Sequence, residues 1–160
     1  MATNTIIQYL ETSAYPADQR DGSSEAVGIE ASNRRQIETF ISGAAIAAND
    51  LVALDFSQTA DGDMAITIVK ADSASADSIA VVGFALNAAT DAGENVDVTI
   101  AGLHQSANVA GAVAKGDRLS ISAVAGQADT YVNSDTVPII AYACEDDTAN
   151  VASVFVIKQF

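Results

Sequence analysis

From residue 35 onward the apolar residues fall in short runs that alternate with polar or small ones, a period of two that suits half-buried strands rather than helices. RRQIETFIS (34 to 42), MAITIVK (64 to 70), SIAVVGFAL (78 to 86), TVPIIAYAC (136 to 144) and VASVFVIKQF (151 to 160) are among about nine strand candidates, spaced as in sandwiches and barrels. In MAITIVK, Met64, Ile66 and Ile68 alternate with Ala65 and Thr67, and the preceding Asp61-Gly62 predicts a hairpin turn. SIAVVGFAL is apolar on both faces, which predicts a central strand, and Gly83 inside it predicts a bulge or a close backbone approach. Pro138 places TVPIIAYAC at a sheet edge or gives it an irregular start. The last two runs flank the acidic turn EDDTAN and predict a closing hairpin. Residues 35 to 160 therefore read as one all-β domain, a small β-barrel or β-sandwich.

One short pattern is written three times: Asn or Gly, an acid, any residue, an apolar residue, any residue, a second apolar residue. It occurs at Asn49, Asp50, Val52 and Leu54, at Gly93, Glu94, Val96 and Val98, and at Gly116, Asp117, Leu119 and Ile121. Gly and Asn tolerate the left-handed backbone at the exit of a tight turn. The acid is placed to accept hydrogen bonds from turn amides while facing water, and the apolar pair starts a strand with one buried face. Ala53, Asp97 and Ser120 fall on the other face. The copies lie 44 and then 23 residues apart, which excludes a regular repeat array.

Composition changes this picture in two ways. Hydrophobic residues make up 49% of the 160, but 32 residues are Ala, which bury little area, so part of the stability is expected from contacts with other chains. Seven Lys and Arg against 21 Asp and Glu give a net charge of -14, which predicts no nucleic-acid and no membrane-surface partner. Beyond solubility, such charge suits a salty environment or a basic docking surface. No run approaches the roughly 18 consecutive apolar residues of a membrane helix. The segment MATNTIIQYLETSAY has no basic stretch ahead of a long apolar run, so it does not read as a secretory signal. The single cysteine, Cys144, reads as an inert, half-buried strand residue.

Residues 1 to 34 differ from the rest. They hold Ile6, Ile7, Tyr9, Leu10 and Tyr15, followed by the polar run PADQRDGSSE, which supports no core of its own. Ile6, Ile7 and Leu10 have the spacing of one amphipathic helical turn after Asn4. Two readings stand side by side: a frayed terminus, and an arm that carries apolar and aromatic anchors to a capsid or to a sister subunit. In the second, Arg34 and Arg35 join the contact set as an ion-pairing couple.

Candidate chemistry is sparse. His104, the one histidine, is too few for a metal site and has no nucleophile elbow to serve, so it reads as a structural residue. TADGDMA and CEDDTAN bring carboxylates together but lack the later ligands of a calcium loop. No phosphate-cradling glycine motif follows a strand. No enzyme activity, cofactor or metal is expected.

ISGAAIAANDLVALDFS (41 to 57), VVGFALNAATDAGENVDVTIAG (81 to 102) and GAVAKGDRLSISAVAGQA (111 to 128), with a closing apolar strand, together resemble the capsid decoration (head cement) proteins of tailed bacteriophages. The likeness spans residues 42 to 160. Gly83, Gly93, Val96, Val98, Gly102, Gly116, Asp117 and Leu119 match the pattern as fold-forming positions, while Asn49 stands where Gly is usual. The resemblance implies a β-rich virion protein on the outer surface of the capsid, bound to the major capsid protein, acting as a dimer or trimer and stabilising the lattice. The alternative is an acidic β-sandwich binding module for carbohydrate or cell-surface adhesion.

Overall fold

The computed structural model describes residues 35 to 75, 79 to 132 and 137 to 158. Among them are nine strands: β1 (Gln36–Ser42), β2 (Leu51–Leu54), β3 (Thr67–Lys70), β4 (Val81–Ala85), β5 (Asn95–Asn108), β6 (Arg118–Ile121), β7 (Ala128–Thr130), β8 (Ala141–Ala143) and β9 (Val151–Val156). One four-residue helical turn, Asp61–Met64, interrupts the strands of the described residues.

The strand order is β1-β3-β2-β4-β5-β9-β8-β6-β7, and β1 also pairs with β5. That extra ladder, from Gln36 opposite Ala101 to Ile41 opposite Asn95, closes the first five strands into a barrel. Closure leaves these strands no free edge to protect. β5 then runs on for 14 residues, and its second half, from Gly102 to Asn108, pairs with β9 instead. The second group of strands curls until Val109, just past β5, bridges to Ala128 in β7. The domain from Gln36 onward is organised around β5, which serves as a wall of both halves.

Each half has its own core. Phe40, Ile46, Val52, Ile68, Val82, Val96, Val98 and Ile100 fill the barrel. Leu119, Ile121, Ile140, Val154 and Val156 fill the second half, together with Leu51, Val81 and Phe84 from the outer side of the barrel. β2 and β4 therefore bury both faces. This corrects the half-buried expectation for the first pattern copy: Ala53 is fully buried because the second core packs against it. In the third copy Ser120 is buried as well, whereas Asp97 in the second faces solvent as expected.

The bulge and the close approach foreseen at Gly83 both occur. The register of β4 against β2 shifts between Val52, opposite Gly83, and Ala53, opposite Val81, so Val82 is the extra residue. A Cβ on Gly83 would fall on the carbonyl oxygen of Thr99 in β5. β4 is central, as predicted, between β2 and β5.

Two expectations need correction, and a third is decided between its two alternatives. β2 and β3 do form an antiparallel hairpin, but Asp61-Gly62 makes no two-residue turn; the connection runs from 55 to 66 and contains the helical turn. Ile66 sits in that connection, 45% exposed, rather than sharing the buried face of Ile68. TVPIIAYAC supplies only the three residues of β8, which lies between β6 and β9 and not at an edge; Pro138 marks the irregular approach instead. The closing β8-β9 hairpin forms as predicted, Ala143 opposite Val154.

Candidate functional site

The three pattern copies share one geometry. Asn49, Gly93 and Gly116 all take left-handed backbone, with φ of 70°, 89° and 91°. The acid that follows folds back on its own turn. Asp50 Oδ2 accepts from the Ala47 amide at 2.8 Å, Asp117 Oδ2 from the Ala114 amide at 2.9 Å, and Glu94 Oε2 from the Thr90 amide at 2.7 Å. Turn chemistry therefore accounts for the repetition.

Asp50 departs from its two counterparts in being buried rather than facing water. Its carboxylate pairs with Lys70 Nζ at 2.9 Å and accepts from Asn108 Nδ2 at 2.8 Å. Lys70 belongs to the barrel and Asn108 to the far end of β5, so the first turn is the polar joint between the halves. His104 completes this joint. It is fully buried, stacked on Phe84 with ring centroids 5.2 Å apart, and lies 3.1 Å from Thr99 Oγ1 and 3.2 Å from Asn49 Oδ1. Since Asn49 Oδ1 can only accept, Nε2 carries a proton in this arrangement, and the Thr99 hydroxyl partners Nδ1. The histidine is a satisfied structural residue.

The acidic turn after β8 is likewise occupied with backbone. Asp147 Oδ1 accepts from the Val113 amide and Asp146 Oδ1 from the Lys115 amide, which clamps the approach to β6, while Glu145 Oε1 accepts from the Ser153 amide of β9. Hydrogen bonding from Ser153 holds the Glu145 carboxyl below its ordinary range, against a smaller opposing effect of burial. Cys144 is half-buried, and burial, reinforced by the nearby Glu145 charge, pushes its thiol up despite Lys115. A raised thiol is a poor nucleophile. Among the described residues no three His, Cys, Asp or Glu side chains gather into a metal-binding group. Asp55, Ser57, Lys70 and Asp72 line an open depression of about 460 Å³ beside the barrel.

Of the predicted contact residues, Ile6, Ile7, Tyr9, Leu10, Tyr15 and Arg34 lie outside the described residues. Arg35 immediately precedes β1; it is half-buried, and among the described residues its Nε has no hydrogen-bond partner. The surface that the pattern did not single out is on the second half. Val154 and Val156 point inward, so Phe155 points out; Ala141 and Ala143 do the same for Tyr142. Strand register then lines up Leu103 of β5, Phe155 of β9, Tyr142 of β8 and Arg118 of β6. Tyr131, just after β7, extends the row, with the Arg118 guanidinium 5.5 Å from its ring centroid. Phe155 and Tyr142 are 48% and 43% exposed. Period-two alternation in VASVFVIKQF could have pointed to Phe155, but the lateral row exists only once strand order is known.

The fold and surface thus define an all-β protein of two closed halves with an outward aromatic row. No family model matches the chain and no curated protein matches it. Among solved structures it is similar to the N base of head fiber gp8.5 of bacteriophage phi29, with a TM-score of 0.49 and 17% identity over 77% of this chain and 94% of that one. Among the described residues no helix is long and apolar enough to cross a membrane.

Proposed function

We propose that this chain is a capsid decoration protein that binds the outer surface of a phage head and stabilises the shell mechanically, without making or breaking covalent bonds. The observation that carries the reading is the shared construction of the three turn-and-strand units through which the sequence resembles that family. All three have the left-handed residue and the folded-back acid that the turn pattern predicts. The polar groups that would attract a chemical role are engaged elsewhere: His104 at the joint, Glu145, Asp146 and Asp147 on backbone amides.

A decoration protein spreads modest contacts along a lattice seam. Separating the shell subunits then also exposes apolar area, at roughly 25 cal/mol per Å². Repetition over the lattice adds avidity that no single contact possesses. The test is sedimentation of purified protein with phage heads, expected to saturate at a fixed ratio to capsid subunits. Absence of binding to intact heads overturns the reading.

The exposed Tyr142 and Phe155 favour a second reading, a carbohydrate or cell-surface module, since aromatic faces are common sugar platforms. Glycan-array binding without head binding would establish it.

A further inference from the structure

We infer that the row Leu103, Phe155, Tyr142, Arg118 and Tyr131 is a docking face for a second copy of this chain, seated against the acidic barrel of that copy. Aromatic residues and Arg are the side chains most enriched where binding energy concentrates, and here four of them stand in one line across four adjacent elements.

Charge selects the occupant. Residues 35 to 101 hold ten Asp or Glu against two Lys or Arg, while residues 102 to 160 hold six against three. Arg118 is exposed, and among the described residues its guanidinium has no carboxylate within 4.0 Å, in a chain with three times as many acids as bases. The row itself contains no carboxylate, so packing row against row leaves Arg118 unpaired. Asp50 and Asp55 are buried, but the barrel half of another copy still exposes Glu38, Asp63, Asp91, Glu94 and Asp97. Contact between two different faces is heterologous, and repeated around an axis it closes into a ring or continues as a chain. A basic partner would leave Arg118 unpaired at this face, although the barrel remains free to meet one.

This deepens the decoration reading and rests on it for the many-copy setting, yet it is tested on the purified full chain alone. Sedimentation velocity of the wild-type protein at moderate salt, where the repulsion between two acidic copies is screened, is expected to show assemblies larger than a monomer. Arg118→Glu and the double variant Tyr142→Ser, Phe155→Ser are each expected to weaken self-association about tenfold or more. Thermal melts should stay close to wild type, because these side chains point away from both cores. A wild-type protein that remains monomeric overturns the inference, as do variants that assemble like wild type. If the variants keep their assembly but lose head binding, the row belongs to the head contact; the inference then fails while the decoration reading stands.

Discussion

The two halves of the domain solve the same problem with different materials. The barrel closes with a six-pair ladder between β1 and β5 and fills its interior with branched and aromatic side chains; only two of its ten core residues are Ala. The second half closes through one bridge, Val109 to Ala128, and seven of its 17 core residues are Ala. Small side chains leave little apolar area to bury, so this core recruits Leu51, Val81 and Phe84 from the barrel wall. Both halves expose large apolar side chains, Ile37, Phe56 and Ile66 on the barrel and Tyr142 and Phe155 on the second half, but Tyr142 and Phe155 stand side by side in strand register. The difference teaches that the second half depends on neighbours: the barrel on one side and, in the proposed reading, other molecules on the other.

The largest expected effect breaks that dependence. Phe84→Ala removes the biggest side chain the barrel lends to the second core and the ring under His104, and should cost about 3 to 5 kcal/mol in urea unfolding. Its companion measurement is hydrogen exchange. Amides of β6, β7 and β8 should lose protection before those of β2 and β4. A loss below about 1 kcal/mol would mean that the wall is not shared.

A smaller effect separates the two similar turns. Asp50→Ala strips Lys70, Asn108 and the Ala47 amide of their acceptor inside the joint, and should cost about 1 to 3 kcal/mol. Asp117→Ala removes the same local cap from a more exposed turn and should cost about 1 kcal/mol or less. Equal losses would deny the joint any special role. Smaller again is a gain. Ala149 and Asn150 both have positive φ, 55° and 64°, in the tight turn between Thr148 and Val151. Ala149→Gly should stabilise the protein by about 1 kcal/mol by relieving a left-handed alanine.

The last effect is confined to acid. Burial pushes the Asp55 carboxyl up, but the Ser57 hydroxyl, the Gln58 amide and the Ser57 backbone N–H together outweigh burial and hold it below its ordinary value. A lowered value in the folded state means that this stabilisation is complete above the ordinary carboxylate range, near about pH 4, and disappears as pH falls through the folded value. Unfolding midpoints measured against pH should fall in that window, and Asp55→Ala should flatten the fall.

Much of the fold could be read from residue order because it depends on local rules. Short apolar runs located β1, β4 and β9, and the left-handed residue with its acid located the entries to β2, the start of β5 and β6. Gly83 announced both its bulge and its contact. Long-range facts were hidden. AGLHQSAN continues β5 because β9 pairs with it, and a bulge between His104 and Ala107 breaks its alternation. β7 has three residues, too few for a pattern, and exists through its ladder to β6. Asp50 looked like a solvated cap because nothing nearby in sequence reveals Lys70 and Asn108. The aromatic row was scattered across residues 103, 118, 131, 142 and 155 until strand order gathered it.

The most direct test of the account is an image of virions that carry this chain, at a resolution that shows strands. The account predicts density matching the nine-stranded domain on the outer face of the head, repeated with the symmetry of the lattice. Heads bare of that density, or the domain found only at a tail or fibre tip, would contradict it.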